Sequence, residues 1–394
     1  MDLLDPEAGD SLPPSVAAQR FGFIDWYRGL ACVLMFQTHA YDAWTADPYR
    51  TGYWWWLARQ FLGGFPARMF LLLAGVSLML RFAGDLRRGT SESDARRGAL
   101  GRGFEVFLLG YAFRIAEWII GGARPTATWA LLKFDVLQCI GVTLMVSALI
   151  ASPRDTRPGR LPLRPLFAAL LVALTTPLLQ ALGRPAHFPP WLAIFLWGEH
   201  DLVPFPLFPW VSYTLTGCCV GAYFVRGAAA NKLGRTMLII ALLGAAIAII
   251  GKIGGRIDIP IYRPTAAVPI PATPVSYLFR TGTCLVGIAL AYWLDRRRLA
   301  RAAPPPPFAT PTSWARFTPL SWLGQASMTV YMVHLDLVYN IWSYPIKHKL
   351  GPVGGTLLLG VLTAAMIWLA FYRTARNTRP RSRPVAPTPS LAPV

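Results

Sequence analysis

Runs of about 20 apolar residues recur along the chain, and they constrain its fold more than any other feature. A helix of that length spans roughly 30 Å, the thickness of the hydrocarbon core of a bilayer. Only 14% of the 394 residues are charged, whereas an ordinary soluble domain carries roughly 25%. The sequence therefore predicts an all-α polytopic membrane protein and excludes most soluble classes.

Ten membrane spans are predicted from these runs, and they set the domain boundaries. The predicted spans cover residues 23–42, 64–82, 104–121, 131–151, 162–183, 207–225, 236–254, 276–294, 317–339 and 353–372. We expect a polar leader over residues 1–20, a transmembrane domain over 21–374, and a disordered Arg/Pro-rich tail over 375–394.

The formal net charge of +19 would suggest nucleic-acid binding in a soluble protein. Here the basic residues fall mostly in alternate connections between spans. With a cytoplasmic N-terminus, about 24 Lys and Arg lie inside and about 11 lie outside, as the positive-inside rule requires. We therefore predict that both termini are cytoplasmic, that the bilayer is the partner of the chain, and that it binds no nucleic acid. The oligomeric state is left open, with a homodimer among the possible assemblies.

Three ionisable residues share one stripe of the first span. Arg28 and His39 differ by about 20° around the helix and are about 16 Å apart along it, with Asp25 within about 60° of both. Charged groups inside a span are costly and mark functional sites by default. The structural alternative is an i,i+3 pair of Asp25 with Arg28, and His39 as an interior histidine.

Further polar residues are predicted to lie near the outer side, at a depth similar to His39. In the ninth span, Tyr331 and His334 share one face and are candidates for binding an acceptor or relaying protons, although a polar seam between packed helices explains them equally well. Asp135 and Gln138 open the fourth span. Weaker acceptor-site candidates are His200 in an outer loop and Arg68, for which snorkelling to the surface is the alternative.

Other residues of the spans have structural interpretations. Arg114 and Glu117 are expected to form an i,i+3 pair. The five cysteines all fall within spans and have no CxxC spacing, so we expect them to be small core residues. The zinc motif HExxH and the phosphate-binding motif GxxxxGK are both missing from the sequence, so we expect no metal.

The first span also carries a family resemblance. Asp25-Trp-Tyr-Arg28-Gly29 followed by His39 resembles the DxxRG...H signature of the membrane acyltransferase superfamily, which includes the acyltransferase-3 enzymes. Four further segments resemble the heparan-α-glucosaminide N-acetyltransferase branch and its bacterial relatives. These are RMFLLLAGVSLML from Arg68, DVLQCIGVTLMVSALI from Asp135, FPLFPWVSYTLTGCCVGA from Phe205 and SMTVYMVHLDLVY from Ser327.

The resemblance implies an enzyme in a bacterial inner membrane. It would move an acyl group, usually acetyl, from cytosolic acyl-CoA to a glycan or amino-sugar acceptor outside. The position of His39 is catalytic in the acyltransferase-3 branch, and Arg28 belongs to the same motif. In the lysosomal N-acetyltransferase an Asn occupies the His39 position, and the active histidine follows about eleven residues later, where this chain has Arg50.

A mechanism consistent with the residues uses His39 as general base, because a histidine titrates near neutral pH. Asp42 or Asp135 would orient its ring, and Gln138 or Tyr331 would donate to the tetrahedral oxyanion. Arg28 and the inner-loop arginines Arg96, Arg97 and Arg102 would hold the CoA. The alternatives are a transporter or flippase for a glycan or lipid-linked precursor, whose pathway the same charges would line, and a non-enzymatic membrane scaffold.

Overall fold

The computed structural model describes residues 21–123, 131–183, 187–189, 203–257, 272–301 and 318–378. Within these ranges the chain is helical apart from its connections, and a single backbone bridge joins Thr45 to Leu350. The helices are α1 (Gly22–Trp44), α2 (Pro66–Arg87), α3 (Glu92–Ile120), α4 (Val136–Ile150), α5 (Leu163–Leu182), α6 (Leu207–Ala229), α7 (Leu233–Gly254), α8 (Pro274–Arg301), α9 (Pro319–Gln325), α10 (Ser327–Tyr339) and α11 (Pro352–Thr378).

Five helical segments of the described chain are long and apolar enough to cross a membrane. They are Gly52–Arg87, Leu163–Leu182, Leu233–Gly254, Pro274–Arg301 and Pro352–Ala375. In the third and the fifth of these, only 22% of the apolar stretch is buried. A helix that exposes so much apolar surface needs a lipid environment, because water would not solvate it. The protein is therefore an all-helical integral membrane protein.

The ninth predicted span, 317–339, is divided between two helices in the structure. Thr318 caps α9 by accepting the N–H of Ser321 at 3.2 Å. The helix ends at Gln325, and Ala326 departs from helical geometry, with φ −96° and ψ 15°, before α10 begins. The two pieces meet different halves of α1, and this difference positions the candidate site.

Along its first half, α1 touches α9 almost backbone to backbone. A Cβ added to Gly324 would lie 1.8 Å from the carbonyl oxygen of Asp25, and one added to Gly29 would lie 1.9 Å from that of Leu320. Glycine is therefore required on both helices, because any side chain would force them apart. Beyond the break, α10 and the second half of α1 meet through side chains instead.

The apolar core follows the same division of α1. One buried cluster joins Phe23 and Tyr27 of the first half to α2, α6 and α8, and the Tyr27 hydroxyl donates to the carbonyl oxygen of Cys284 at 3.0 Å. A second cluster joins Phe36 and Ala40 to α10 and α11. All five cysteines are buried and unpaired, which confirms their prediction as core residues.

The predicted boundaries of the domain are only partly within the described chain. Helix α11 continues to Thr378, past the boundary predicted at 374. The predicted leader over residues 1–20 and residues 379–394 of the predicted tail lie outside the described residues.

Candidate functional site

His39 lies near the end of α1, and its imidazole is hydrogen-bonded to the far part of the chain. Its Nδ1 lies 3.0 Å from the hydroxyl oxygen of Tyr339, the last residue of α10, which is 300 positions later. That hydroxyl donates to Oδ2 of Asp42 at 2.8 Å, and Oδ1 of Asp42 accepts the Nε–H of Arg59 at 2.9 Å. We call these four residues the His39 array. Asp42 thus reaches His39 through Tyr339, whereas the sequence suggested a direct orienting contact.

Arg59 reaches the array because the chain between α1 and α2 folds back against α1. A short helix, Gly52–Trp55, continues into a π-helical turn, Trp56–Phe61, that carries Arg59. Such turns are frequent at functional sites. Gln37 of α1 donates from Nε2 to the carbonyl oxygen of Ala58 at 2.8 Å, and this bond fixes the turn against the helix.

Tyr339 is placed by backbone bonds between the α10–α11 loop and the end of α1. The N–H of Leu350 donates to the carbonyl oxygen of Trp44 at 2.9 Å, and the N–H of Ala46 donates back to Leu350 at 2.9 Å. Because backbone bonds are independent of side-chain rotamers, the end of α10 is held firmly beside the end of α1.

A second histidine, His334, packs against the His39 ring. Their ring centroids are 5.4 Å apart, and the Tyr331 ring lies 5.8 Å from that of His334. His334 is fully buried, and its Nδ1 donates to the carbonyl oxygen of Val330 at 2.9 Å. In the described part of the chain, its Nε2 has no hydrogen-bond partner. The structure therefore brings together His39, His334 and Tyr331, three candidates that the sequence proposed separately.

Arg28 lies about 16 Å along the axis of α1 from His39. Its Nη1 lies 3.4 Å from Oδ1 of Asp25, and its Nη2 donates to the hydroxyl of Ser77 at 3.3 Å. The i,i+3 pair considered as the structural alternative is therefore present. The Arg28 side chain keeps 24% of its surface exposed.

Asp135 and Gln138 belong to a different network. The Asp135 carboxylate accepts the N–H of Val136 at 2.7 Å and pairs with Arg114, while Oε1 of Gln138 accepts the N–H of Asp135 at 3.2 Å. Together they form a capping box at the start of α4. The Asp135 carboxylate thus stabilises a helix start, and among the described residues the His39 ring is hydrogen-bonded to Tyr339 and not to Asp135. The buried Nε2 of Gln138 has no partner among the described residues.

Arg114 of α3 also pairs with Glu117, at 2.7 Å, which confirms the predicted i,i+3 pair. No motif or spacing in the sequence indicated that the same guanidinium also reaches Asp135. One cation thus holds two carboxylates, and it ties α3 to the start of α4.

Arg68 is buried beneath aromatic rings, so the alternative interpretation, that it snorkels to the surface, is wrong. Only 5% of it is exposed. Its Nε donates to the Tyr213 hydroxyl at 3.0 Å, and its guanidinium lies 4.8 Å from the Trp210 ring. Cation–π contacts of this kind stabilise a desolvated arginine.

The three arginines proposed to hold CoA lie on the first part of α3. Arg97 pairs with Asp94 at 3.3 Å and Arg102 pairs with Glu105 at 3.0 Å, all four on an exposed face, and Arg96 is half-buried. Exposed pairs of this kind are weak, so these side chains can exchange one partner for another.

Arg50 lies beside the array, because its Nη2 donates to the carbonyl oxygen of Asp42 at 2.7 Å and also contacts Nδ1 of His348. His200 lies outside the described residues. Within the described ranges, no three His, Cys, Asp or Glu side chains are grouped so that they could hold a metal ion.

The family model for the catalytic region of heparan-alpha-glucosaminide N-acetyltransferase matches residues 20–262, more than half of the chain. The chain belongs to this N-acetyltransferase family. The matched region includes α1 to α7, and with them His39, Asp42 and Arg59 of the array. No individual curated protein matches the chain significantly.

Two members of the array were missed by reasoning from the sequence of this N-acetyltransferase family member. Tyr339 lies beyond the matched residues, at the end of a span whose polar face was assigned to Tyr331 and His334. Arg59 lies in a connection in which no motif stands out. The one available signal was Asp42, a carboxylate in an apolar setting that needs a cationic or hydrogen-bonding partner.

Proposed function

We propose that this protein is a membrane acetyltransferase that moves an acetyl group from acetyl-CoA to a glycan hydroxyl or the amine of an amino sugar, with His39 as general base. The family match supports an N-acetyltransferase at the level of the family. The position of His39 supports its assignment as the general base. His39 lies within the matched region, is half-buried and hydrogen-bonded, and packs beside His334, which is fully buried.

The chemistry assigned to His39 is a proton transfer in two directions. Its imidazole removes the proton from the acceptor hydroxyl or amine as the acceptor oxygen or nitrogen bonds to the thioester carbonyl carbon. The resulting imidazolium then returns that proton to the departing thiolate as the carbon–sulfur bond breaks. A general base of this kind contributes about 10²- to 10⁴-fold to a rate.

Two side chains are candidates to stabilise the oxyanion that forms at the carbonyl oxygen. The Gln138 amide nitrogen is buried and donates to no described atom, and Tyr331 is buried beside His334. A donor already held in a dry site stabilises developing charge without reorganising. Gln138 and Tyr331 are therefore proposed as oxyanion donors.

The acyl donor, acetyl-CoA, is assigned to the Arg28 end of α1. Acetyl-CoA supplies the activated acyl group as a thioester. Arg28, partly exposed at that end, and the exposed arginines Arg97 and Arg102 with nearby Arg96 are proposed to bind its phosphates by charge-assisted hydrogen bonds. His334 and Tyr331, with Arg68 and His200 as weaker candidates, are assigned to the acceptor side.

The orientation follows from charge. Arginines concentrate in the connections on the Arg28 side of the predicted spans, so we propose that this end faces the cytoplasm, with ten spans and both termini inside. The compartment proposed is a bacterial inner membrane. A thioester entering from the Arg28 end would then meet an extracytoplasmic acceptor near His39.

The test is acetyl-CoA binding and turnover by the purified protein in detergent, with glucosamine as a probe acceptor. We expect the His39→Ala variant to lose about 10²- to 10⁴-fold in turnover while it still binds acetyl-CoA. We expect the Arg28→Ala variant to weaken acetyl-CoA binding. His187→Ala, which changes an exposed histidine, is the matched control and should behave as wild type.

Near-normal turnover by a folded His39→Ala variant would remove His39 from the reaction. A wild-type protein that binds no acetyl-CoA would refute the acetyltransferase proposal and favour transport of a glycan or lipid-linked precursor.

A further inference from the structure

The hydroxyl of Tyr339 joins His39 to Asp42, and the function proposed above gives Tyr339 no role. Its oxygen lies 3.0 Å from Nδ1 of His39 and 2.8 Å from Oδ2 of Asp42. Its ring packs edge-on against the imidazole, with centroids 5.4 Å apart. The contact is thus both polar and steric. Which of the two residues donates the Tyr339–His39 hydrogen bond follows from the protons that Tyr339, His39 and Asp42 carry.

The donors and acceptors of the array allow one arrangement. The Asp42 carboxylate is paired with Arg59 at 2.9 Å, and an ionised carboxylate only accepts hydrogen bonds. The single hydroxyl proton of Tyr339 therefore points to Asp42. The bond between Tyr339 and His39 then requires a proton on Nδ1, which makes Nδ1 the donor.

We propose that Tyr339 is the positioning residue for His39: anchored by Asp42, its hydroxyl holds the imidazole in the Nδ1–H tautomer, so that Nε2 keeps the lone pair that accepts the proton of the acceptor. This inference rests on the proposed function. Fixing the tautomer matters because a histidine with the wrong nitrogen protonated is a poor base, and in a serine protease triad that error costs about 10⁴-fold.

The neighbouring histidine does not supply the same restraint. His334 donates from Nδ1 to the carbonyl oxygen of Val330, so its own Nε2 is an acceptor. That Nε2 makes no hydrogen bond with the His39 ring, although the two ring centroids lie 5.4 Å apart. Among the described residues, Tyr339 alone is hydrogen-bonded to the His39 ring.

The variant that isolates this role is Tyr339→Phe, because it keeps the ring and removes only the hydroxyl. We expect kcat to fall about 10- to 100-fold, the range seen when a metal-binding histidine loses the partner that orients its ring. KM for acetyl-CoA should stay within about twofold, since Arg28 lies about 16 Å away along α1. Tyr344→Phe is the matched control, because Tyr344 is an exposed tyrosine that follows α10.

A second readout does not depend on turnover. With ¹⁵N-labelled histidine rings, NMR distinguishes protonated from lone-pair nitrogens, and comparison with the His39→Ala variant assigns the His39 signals. We expect wild-type His39 to show a protonated Nδ1 and a lone-pair Nε2. In Tyr339→Phe we expect the two tautomers to mix.

The outcomes separate this inference from the function on which it rests. An Nε2–H tautomer in wild type overturns it, even where Tyr339→Phe fails to fold. So does a folded Tyr339→Phe protein with unchanged kcat and an unchanged tautomer, while His39→Ala is inactive. If His39→Ala keeps full turnover, the role of general base proposed for His39 fails, and with it any catalytic use of Tyr339, whatever the tautomer.

Discussion

The two halves of α1 meet the same predicted span in opposite ways. In the first half, Gly29 faces Leu320 and Gly324 faces Asp25, with no room for a side chain between the helices. In the second half, the contact is made by the hydroxyl and ring of Tyr339 against His39. The break at Ala326 separates the two modes. One half of the contact thus fixes the distance between the helices, and the other is free to hold functional groups.

The ion pairs of the proposed donor-binding residues differ from that of the His39 array. Arg28 and Arg102 pair within one helical turn, with Asp25 and Glu105 respectively. Asp42 of the array pairs with Arg59, which lies on a separate element. Pairs within a turn cost little to form and carry little specificity. Pairs between elements require the fold to be complete, so their loss should affect function and stability more.

The largest effect should come from closing the space between α1 and α9. Gly324→Leu would put side-chain atoms where the carbonyl oxygen of Asp25 lies, at 1.8 Å from the Cβ position. We expect a loss of at least about 3 kcal/mol, the upper end for overpacking, with much of the protein unfolded. Monodispersity and thermal unfolding in detergent measure this, with Gly360→Leu as control because nothing lies within 4 Å of that position. A Gly324→Leu protein as stable as the control would show that the two helices can separate without cost.

The second-largest loss of stability is expected from removing Arg114, the cation that joins α3 to α4. Arg114→Met would leave Glu117 and Asp135 without their shared cation, with the Arg114 side chain 15% exposed and each carboxylate side chain 18% exposed. Removing one partner of a buried ion pair costs about 3–5 kcal/mol, and the partial exposure here places the expected loss near the lower figure. Arg102→Met serves as the control because its pair is exposed on both sides. Equal midpoints of thermal unfolding for the two variants would contradict the comparison.

A smaller effect, and one on activity more than stability, is expected for Arg59→Leu. The Arg59–Asp42 pair is about one-third exposed, so its net stabilisation should be under about 1 kcal/mol. Without Arg59, however, the Asp42 carboxylate loses a fixed partner and anchors Tyr339 less well. We expect kcat to fall roughly tenfold, the lower end of the range for partners that orient metal-binding histidines. Turnover at saturating acetyl-CoA measures it, and a variant that loses stability but keeps kcat would assign Arg59 to folding alone.

The smallest effect is expected for Glu105→Gln. It removes the partner of Arg102 on an exposed face, where the two side chains are 58% and 67% exposed. The change in unfolding free energy should stay within about 0.5 kcal/mol. KM for acetyl-CoA should stay the same or fall, because Arg102 is released from a competing carboxylate. A rise in KM of several fold would mean that Glu105 itself shapes the donor site.

The sequence by itself determined the features that depend on neighbours along the chain. Membrane character follows from apolar runs, and the pairs Asp25–Arg28 and Arg114–Glu117 follow from helical spacing, because i and i+3 always face each other on a helix. Helical geometry also separates Arg28 from His39 along α1. The sequence further favoured the acetyltransferase family, and the family match agrees.

Only the tertiary structure decided which groups surround His39. Asp135 was an equally good orienting carboxylate in the sequence, yet it caps α4 and pairs with Arg114. Tyr339 lies 300 residues from His39, and no periodicity relates positions so far apart. Their contact depends on the break at Ala326 and on the backbone bonds that hold Leu350 to the end of α1. Such contacts arise from the packing of whole elements, which local sequence rules do not contain.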